Sequence, residues 1–278
     1  MFIVLRLIEP EKSYFKRRKQ IKTVARSPAG ICRETGSLPF CVLDVINDKR
    51  GIQWHNFEER CGRYASRIVA PRNVALPDGS DLRRFTPSAI ISSLVFNSAK
   101  AVVACAAPVP DSFVLTVTDR CALSALRVCE LLPFCSTVRV ITSRPEKYAA
   151  VCEKALADFG ATLILRSVYE PTQKPDIVIC CDGVVSPSMN AAAVFAYKRR
   201  ACGKIRFCGN GITLTEKHRS FLPEGIDPLD FAGALTELCA CAEYASACFE
   251  ELEISCNGCS DRSAEACILC HIANKKPL

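Results

Sequence analysis

From Ser112 to Asp182 the apolar positions switch between short unbroken runs and runs of helical spacing. Ser112–Thr118 (SFVLTVT) reads as a buried strand and Cys121–Leu132 as a largely apolar helix. Thr137–Thr142 (TVRVIT) predicts a second strand and Pro145–Phe159 a second helix, with further strands at Thr162–Arg166 (TLILR) and Asp176–Cys181 (DIVICC). Strands that alternate with helical patterns predict βαβ units and a parallel sheet. In the first helix only Ser124, Arg127 and Glu130 are polar, a narrow stripe, so most of its circumference is expected to be buried. In the second, Tyr148, Val151, Cys152, Ala155, Leu156 and Phe159 fall on one face, and Gly160 is placed to end the helix in a left-handed conformation. Ser143 with Glu146 has the spacing of a capping box, and Pro145 sits where a missing N–H costs little.

The first hundred residues are less regular. Met1–Ile8 and Phe40–Ile46 (FCVLDVI) read as strands, and Asn56 with Glu59 suggests a helix cap ahead of Phe57, Cys61 and Tyr64. Ser66–Ala70 predicts a short strand, Ala75–Phe85 a loop, and Ser88–Ala106 a long helix that Pro108-Val109-Pro110 breaks. That break divides the chain into an α/β region at 1–107, a second domain at 111–240 and a cysteine-rich tail at 241–278. Near the end of the second domain, Asn210-Gly211 between Lys204–Cys208 and Ile212–Leu214 reads as a hairpin turn. Asp227-Pro228 starts an amphipathic helix that is expected to close the same domain.

Composition narrows the class. With 49% hydrophobic and 23% charged residues the chain has the make-up of a globular protein rather than a disordered one. The longest apolar region, Ala89–Pro108, is interrupted by Asn97 and Lys100, so no membrane span is expected. The opening MFIVLRLI is too short for a signal peptide and meets Arg6 and Glu9, which predicts a cytoplasmic protein whose 19 cysteines are reduced thiols. The net charge of +7 is concentrated at the start, where residues 1–30 hold eight Lys/Arg against Glu9 and Glu11. Tyr14–Arg26 can form a basic amphipathic helix. Such a helix either touches nucleic acid or an anionic surface, or is a solvated face packed by its apolar side.

Several chemistries are absent. There is no G-x-S-x-G elbow and no Gly-x4-Gly-Lys-Ser/Thr, and the three histidines, His55, His218 and His271, are isolated, with His218 expected to be exposed in the run Lys217-His218-Arg219. In the tail, Cys256-x2-Cys259 and Cys267-x2-Cys270 have the spacing of a zinc or iron–sulfur site. Against that, Ser263–Cys270 looks helical, and a chain this rich in cysteine generates such pairs readily.

The element order and the segment Val138–Lys147 (VRVITSRPEK) resemble the Rossmann-type domain of NADP-dependent dehydrogenases, of which shikimate dehydrogenase is the nearest. The resemblance covers about residues 112–182. It implies an α/β fold with a mostly parallel Rossmann-like sheet, helices on both faces, and a smaller α/β region before it. It also implies that Ser143 and Arg144 would hold an adenosine 2′-phosphate, with Lys147 nearby. The first loop departs from the family: Thr118-Asp119-Arg120-Cys121-Ala122-Leu123 stands in place of a glycine-rich turn, and Asp119 brings negative charge where a diphosphate would lie. Asp119 and Asp182 are both expected at carboxyl ends of parallel strands, where ligands bind in open α/β sheets and where acids also commonly form turns. The cofactor-binding candidates are therefore Asp119, Arg120, Ser143, Arg144 and Asp182. The reading that follows is a noncatalytic or weakly ligand-binding protein. The alternatives are an NADP-dependent oxidoreductase and a metal-binding or nucleic-acid-associated module.

Overall fold

The computed structural model of the chain describes residues 1–26, 40–47, 51–52, 54–106, 113–135, 137–169, 175–182, 191–197, 205–256 and 266. In chain order its strands are β1 (Phe2–Ile8), β2 (Phe40–Ile46), β3 (Ile68–Val69), β4 (Val114–Thr118), β5 (Thr137–Ile141), β6 (Thr162–Arg166), β7 (Ile177–Cys180), β8 (Ala193–Tyr197), β9 (Ile205–Asn210) and β10 (Glu251–Cys256). The α-helices are α1 (Tyr14–Arg26), α2 (Trp54–Cys61), α3 (Ala89–Ala106), α4 (Ala149–Phe159), α5 (Glu216–Arg219) and α6 (Pro228–Cys239).

The chain forms two compact units, Met1–Pro87 with Leu214–Ala242 and Ser88–Thr213 with Glu243–Leu278. These boundaries differ from the expected regions 1–107, 111–240 and 241–278. Helix α3 belongs with the second unit, and the segment carrying α6 returns to the first.

The first unit holds a three-stranded parallel sheet in the order β2-β1-β3. Parallel strands are buried on both faces, which explains the unbroken apolar runs FIVL and FCVL. Arg6 lies opposite Asp44 in register, and its guanidinium donates two hydrogen bonds to that carboxylate, at 2.7 and 3.0 Å. Phe231 of α6 packs edge-on against Phe2 and Phe40, with ring centroids 6.0 and 5.2 Å away. This contact is the reason α6 closes the first unit rather than the second. The cap expected at its start forms: Asp227 accepts from the Leu229 N–H at 2.8 Å, with Pro228 in the first turn. Helix α2 begins at Trp54, ahead of Asn56, so Asn56 lies inside the helix rather than at its cap.

The second unit holds a seven-stranded sheet in the order β10-β9-β8-β7-β4-β5-β6. Strands β4 to β9 are parallel, and β10 joins β9 antiparallel. Counted from β4, the parallel strands run 3-2-1-4-5-6, the order of a doubly wound Rossmann sheet. The order reverses between β4 and β7, so the crevice at the carboxyl ends of these two strands is the position where such sheets take ligands. The fold class is α/β with a mostly parallel Rossmann-like sheet.

Three local expectations change. No α-helix runs from Cys121; residues 119–124 form turns and Ala125–Phe134 winds as a 3-10 helix with Pro133 inside it. Of the stripe expected on α4, Tyr148, Val151 and Ala155 are buried, whereas Leu156 and Phe159 are exposed. Gly160 does end that helix at φ 60°, its N–H bonded to the Leu156 carbonyl at 3.0 Å. The Asn210-Gly211 hairpin does not form, because β9 ends at Asn210, lies between β8 and β10, and Ile212–Leu214 is not a strand. Gly209 is needed for another reason: a Cβ there would fall 1.9 Å from the Phe249 ring.

Helix α3 runs without interruption through Asn97 and Lys100. By length and composition it could cross a membrane, with mean hydropathy 1.7, yet 61% of it is buried inside the protein. Its polar side chains are engaged there: Asn97 donates to the carbonyls of Ala245 and Ala247, and Lys100 pairs with Glu130 at 2.6 Å. In α3 the apolar composition serves a core helix against β7 and β8.

Candidate functional site

Strands β4, β5 and β7 end side by side in the second unit, and their exits bring together the five residues singled out in the sequence. Asp119 follows β4 and is almost fully buried, with 1% of its surface exposed. One carboxylate oxygen accepts from the Leu123 N–H at 2.8 Å, and the other from the Ser124 N–H at 2.7 Å and the Tyr148 hydroxyl at 2.9 Å. The Asp119 N–H donates to the carbonyl of Ile141 at the end of β5. Three donors converge on this one side chain, so it ties the first loop to the start of α4.

The backbone needed to make that closure includes a left-handed residue, Ala122 at φ 56°. Left-handed geometry costs an alanine about 1–2 kcal/mol. The loop therefore adopts a conformation suited to glycine without having one. Holding the N–H groups of Leu123 and Ser124 on Asp119 also delays helical winding to Ala125, which accounts for the missing first turn of the expected helix.

Behind this loop lies a small polar cluster that sequence reasoning did not find. The hydroxyls of Ser124 and Ser92 are 2.8 Å apart and buried. Both interact with the buried thiol of Cys181, whose pKa burial pushes up to about 12. Burial and the neighbouring Asp119 likewise raise the Tyr148 hydroxyl well above the ordinary range, so it stays a donor. Tyr148 did carry a signal, as the first member of the buried stripe, but its polar partner lies 29 residues away in sequence.

Asp182 follows β7 and accepts from the Thr118 hydroxyl at 2.9 Å. The Arg120 guanidinium lies 3.9 Å from it and is largely exposed. The Arg120 carbonyl accepts the Ser143 N–H at 3.2 Å, which joins the loops after β4 and β5. At the exit of β5 the buried Thr142 accepts the Arg144 N–H at 3.1 Å, and Ser143, Arg144 and Lys147 present their side chains to solvent. No side-chain cap forms at the start of the 3-10 turn Pro145–Tyr148, so Ser143 does not act as a capping box with Glu146. Its hydroxyl thus remains at the surface beside Arg144.

This edge presents two different surfaces to a ligand. Arg120, Arg144 and Lys147 with the Ser143 hydroxyl offer cations and a hydrogen-bonding group to an anion. Asp119 holds three donors and has no geometry for moving a proton to or from a ligand.

Other candidates resolve differently. His55 is exposed and pairs with Glu59 at 3.2 Å on α2. His218 is fully buried rather than exposed, because Thr215 caps the single turn α5 and places its hydroxyl 3.2 Å from the ring Nδ1. His271 and the side chains of Cys256, Cys259, Cys267 and Cys270 lie outside the described residues, as does most of the tail that would carry a zinc or iron–sulfur site. In the first unit an open cavity of about 630 Å³ follows residues 72–84, but its arginines are engaged. Arg84 donates to the carbonyls of Ala70, Pro71 and Val74, and Arg72 pairs with Asp227.

No family model matches this chain, and no curated protein does. Among solved structures, the L-tryptophan dehydrogenase of Nostoc punctiforme is distantly similar, at 14% identity and TM-score 0.34, over 98% of this chain and 82% of that one.

Proposed function

We infer that the second unit is a ligand-binding module without nicotinamide chemistry, which takes a small phosphate-bearing ligand at the exits of β4 and β5 through Arg120, Ser143 and Arg144. The observation that carries this reading is the occupation of the first loop by Asp119. In dinucleotide-binding sheets the N–H groups after the first strand receive the diphosphate, and glycine lets the backbone approach it. Here the N–H groups of Leu123 and Ser124 donate to the protein's own carboxylate. A diphosphate would have to displace that carboxylate and would meet its negative charge. The residues of this loop do not fit a dinucleotide's diphosphate, whereas the loop after β5 keeps cations and a hydroxyl exposed.

The alternative, an NADP-dependent oxidoreductase, is favoured by one feature, the exposed Ser143 and Arg144 at the end of β5. Thermal melting separates the two. A ligand at about 100 times its dissociation constant stabilises the native state by about 2.7 kcal/mol, a readily measured rise in melting temperature. The module reading expects NADPH and adenosine 2′,5′-bisphosphate to give equal rises, both lost in Ser143→Ala/Arg144→Ala. A rise with NADPH and none with the bisphosphate would establish contacts along the whole dinucleotide and restore the oxidoreductase. Absence of any rise with either ligand would remove the phosphate site altogether.

A further inference from the structure

Helix α1 of the first unit has one side facing the protein and one facing solvent, and the two sides differ sharply in chemistry. Ile21 and Val24 are half-buried and the helix packs against β2, so its modest apolar side is already covered by its own unit. Gln20 fixes the rotation of the helix. Its amide donates to the Glu9 carbonyl at 3.1 Å and accepts the Glu11 N–H at 2.9 Å. The opposite side carries Phe15, Lys19 and Lys22, at i, i+4 and i+7, all exposed. Lys16 and Arg18 flank this stripe and are exposed as well, and the helix holds no acidic residue. Phe15 is 81% exposed and Tyr14 68%, their rings 5.6 Å apart and edge to face.

From this arrangement we propose that α1 is a docking surface for single-stranded nucleic acid. Charge complementarity decides the class of partner. Four exposed cations along a helix about 20 Å long can follow a phosphate backbone. The adjoining aromatic pair offers a stacking face for a base, the combination used by proteins that hold single strands. An anionic membrane would attract the same cations, but an interfacial helix needs a free apolar face to enter the acyl boundary. On α1 that face is the half-buried one, and the outward stripe is cationic. This surface lies in the first unit and does not depend on the phosphate site of the second.

The test is fluorescence anisotropy of the full chain with a labelled oligouridylate of about 12 nucleotides, within the site sizes known for single-strand binders. If about four phosphates are neutralised, raising salt from about 50 to about 200 mM weakens binding by about 50-fold. Replacing Lys19 and Lys22 together by alanine is expected to reduce that ratio to about sevenfold, since two contacts remain. Phe15→Ala is expected to weaken binding at least about fivefold through lost stacking. Circular dichroism of each variant confirms that α1 is intact, because all three positions are exposed. The proposal is overturned by no binding at the lower salt, or by binding that ignores the loss of Lys19 and Lys22. Binding to phosphatidylserine vesicles with none to the oligouridylate would equally overturn it.

Discussion

The loops that leave β4 and β5 occupy neighbouring positions on one sheet edge and use their polar groups in opposite ways. After β4, the donors of residues 123 and 124 and the Tyr148 hydroxyl turn inward onto Asp119, and nothing in that set is left for a ligand. After β5, only backbone groups turn inward: the Ser143 and Arg144 N–H groups are held by the Arg120 carbonyl and the Thr142 hydroxyl, and the side chains face solvent. An inward-facing carboxylate does for the first loop what a bound anion does in a dinucleotide site. It satisfies N–H groups that would otherwise be orphaned, and it does so without a ligand. The same position in the fold can therefore serve binding or stability, and the contrast predicts that removing the Asp119 carboxylate changes stability while removing the exposed side chains of the second loop changes only ligand affinity.

The sharpest way to break this contrast is to remove Asp119. Asp119→Ala leaves two backbone N–H groups and a buried tyrosine hydroxyl without their acceptor, and is expected to cost about 3–5 kcal/mol. The denaturant midpoint, with unchanged slope, measures it. A cost below about 0.5 kcal/mol, the scale of an ordinary surface change, would show that the carboxylate does not hold the loop.

A second, smaller effect comes from the thiol behind that loop. Burial raises Cys181 from 9.0 to about 12. A group whose pKa is higher in the folded protein contributes stability that is complete below its unfolded value and is lost as pH rises through the folded one. Cys181 should therefore cost stability between about pH 9 and 12, with a limiting slope of about 1.4 kcal/mol per pH unit. Cys61 and Cys135 are raised to about 12 by the same cause and act in the same window. In reducing buffer, Cys181→Ala should remove up to about 1.4 kcal/mol per pH unit of the alkaline slope, while the part due to Cys61, Cys135 and Tyr148 persists. An unchanged slope would mean that water reaches the thiol beneath the first loop.

How much of this was legible in the sequence depends on how local each signal is. Strands β4 and β7 are short, almost wholly buried runs, readable because burial on both faces leaves little alternation to interpret, whereas β5 and the edge strand β6 are marked by β-branched residues although their faces are only partly buried. Gly160 was equally readable, since a helix end needs a left-handed residue within one turn. Strand β8 (AVFAY) follows an alanine run that carries neither strand nor turn preference, so nothing local marks where it begins. Strand β10 (ELEISC) has half-exposed alternation and lies in a stretch whose cysteines suggested metal chemistry instead. The need for glycine at 209 has no local signal, because the ring that requires it, Phe249, is 40 residues away. The candidate edge itself was visible, but its division of labour was not. Asp119 stood out as a negative charge in the wrong place, and only the three-dimensional contacts reveal that its partners are two N–H groups of its own loop and a distant tyrosine.

Glycine offers a smaller test on the stability side of the comparison. Ala122 already holds the left-handed conformation that a glycine turn would use. Ala122→Gly relieves about 1 kcal/mol or more of backbone strain and adds about 0.4–1 kcal/mol of unfolded-state entropy. The net change is expected to be a stabilisation of about 0.5 kcal/mol, read from the denaturant midpoint. A clear destabilisation would mean that the alanine methyl contributes packing that outweighs its strain.

The smallest expected effect falls in the second loop and completes the contrast. Ser143 and Arg144 hold their places through backbone N–H groups, which substitution leaves intact, and their side chains are exposed. Ser143→Ala and Arg144→Ala should each shift stability by less than about 0.5 kcal/mol, the range of ordinary surface changes. Both variants should nevertheless lose the melting shift given by a phosphate-bearing ligand, because they remove a hydroxyl and a guanidinium from the face offered to it. Destabilisation comparable to that of Asp119→Ala would place these side chains in the structural network and end the distinction between the loops. Unchanged stability with a lost ligand response would assign binding to the exposed side chains after β5 and stability to the Asp119 carboxylate after β4, two roles separated by a single step across the sheet.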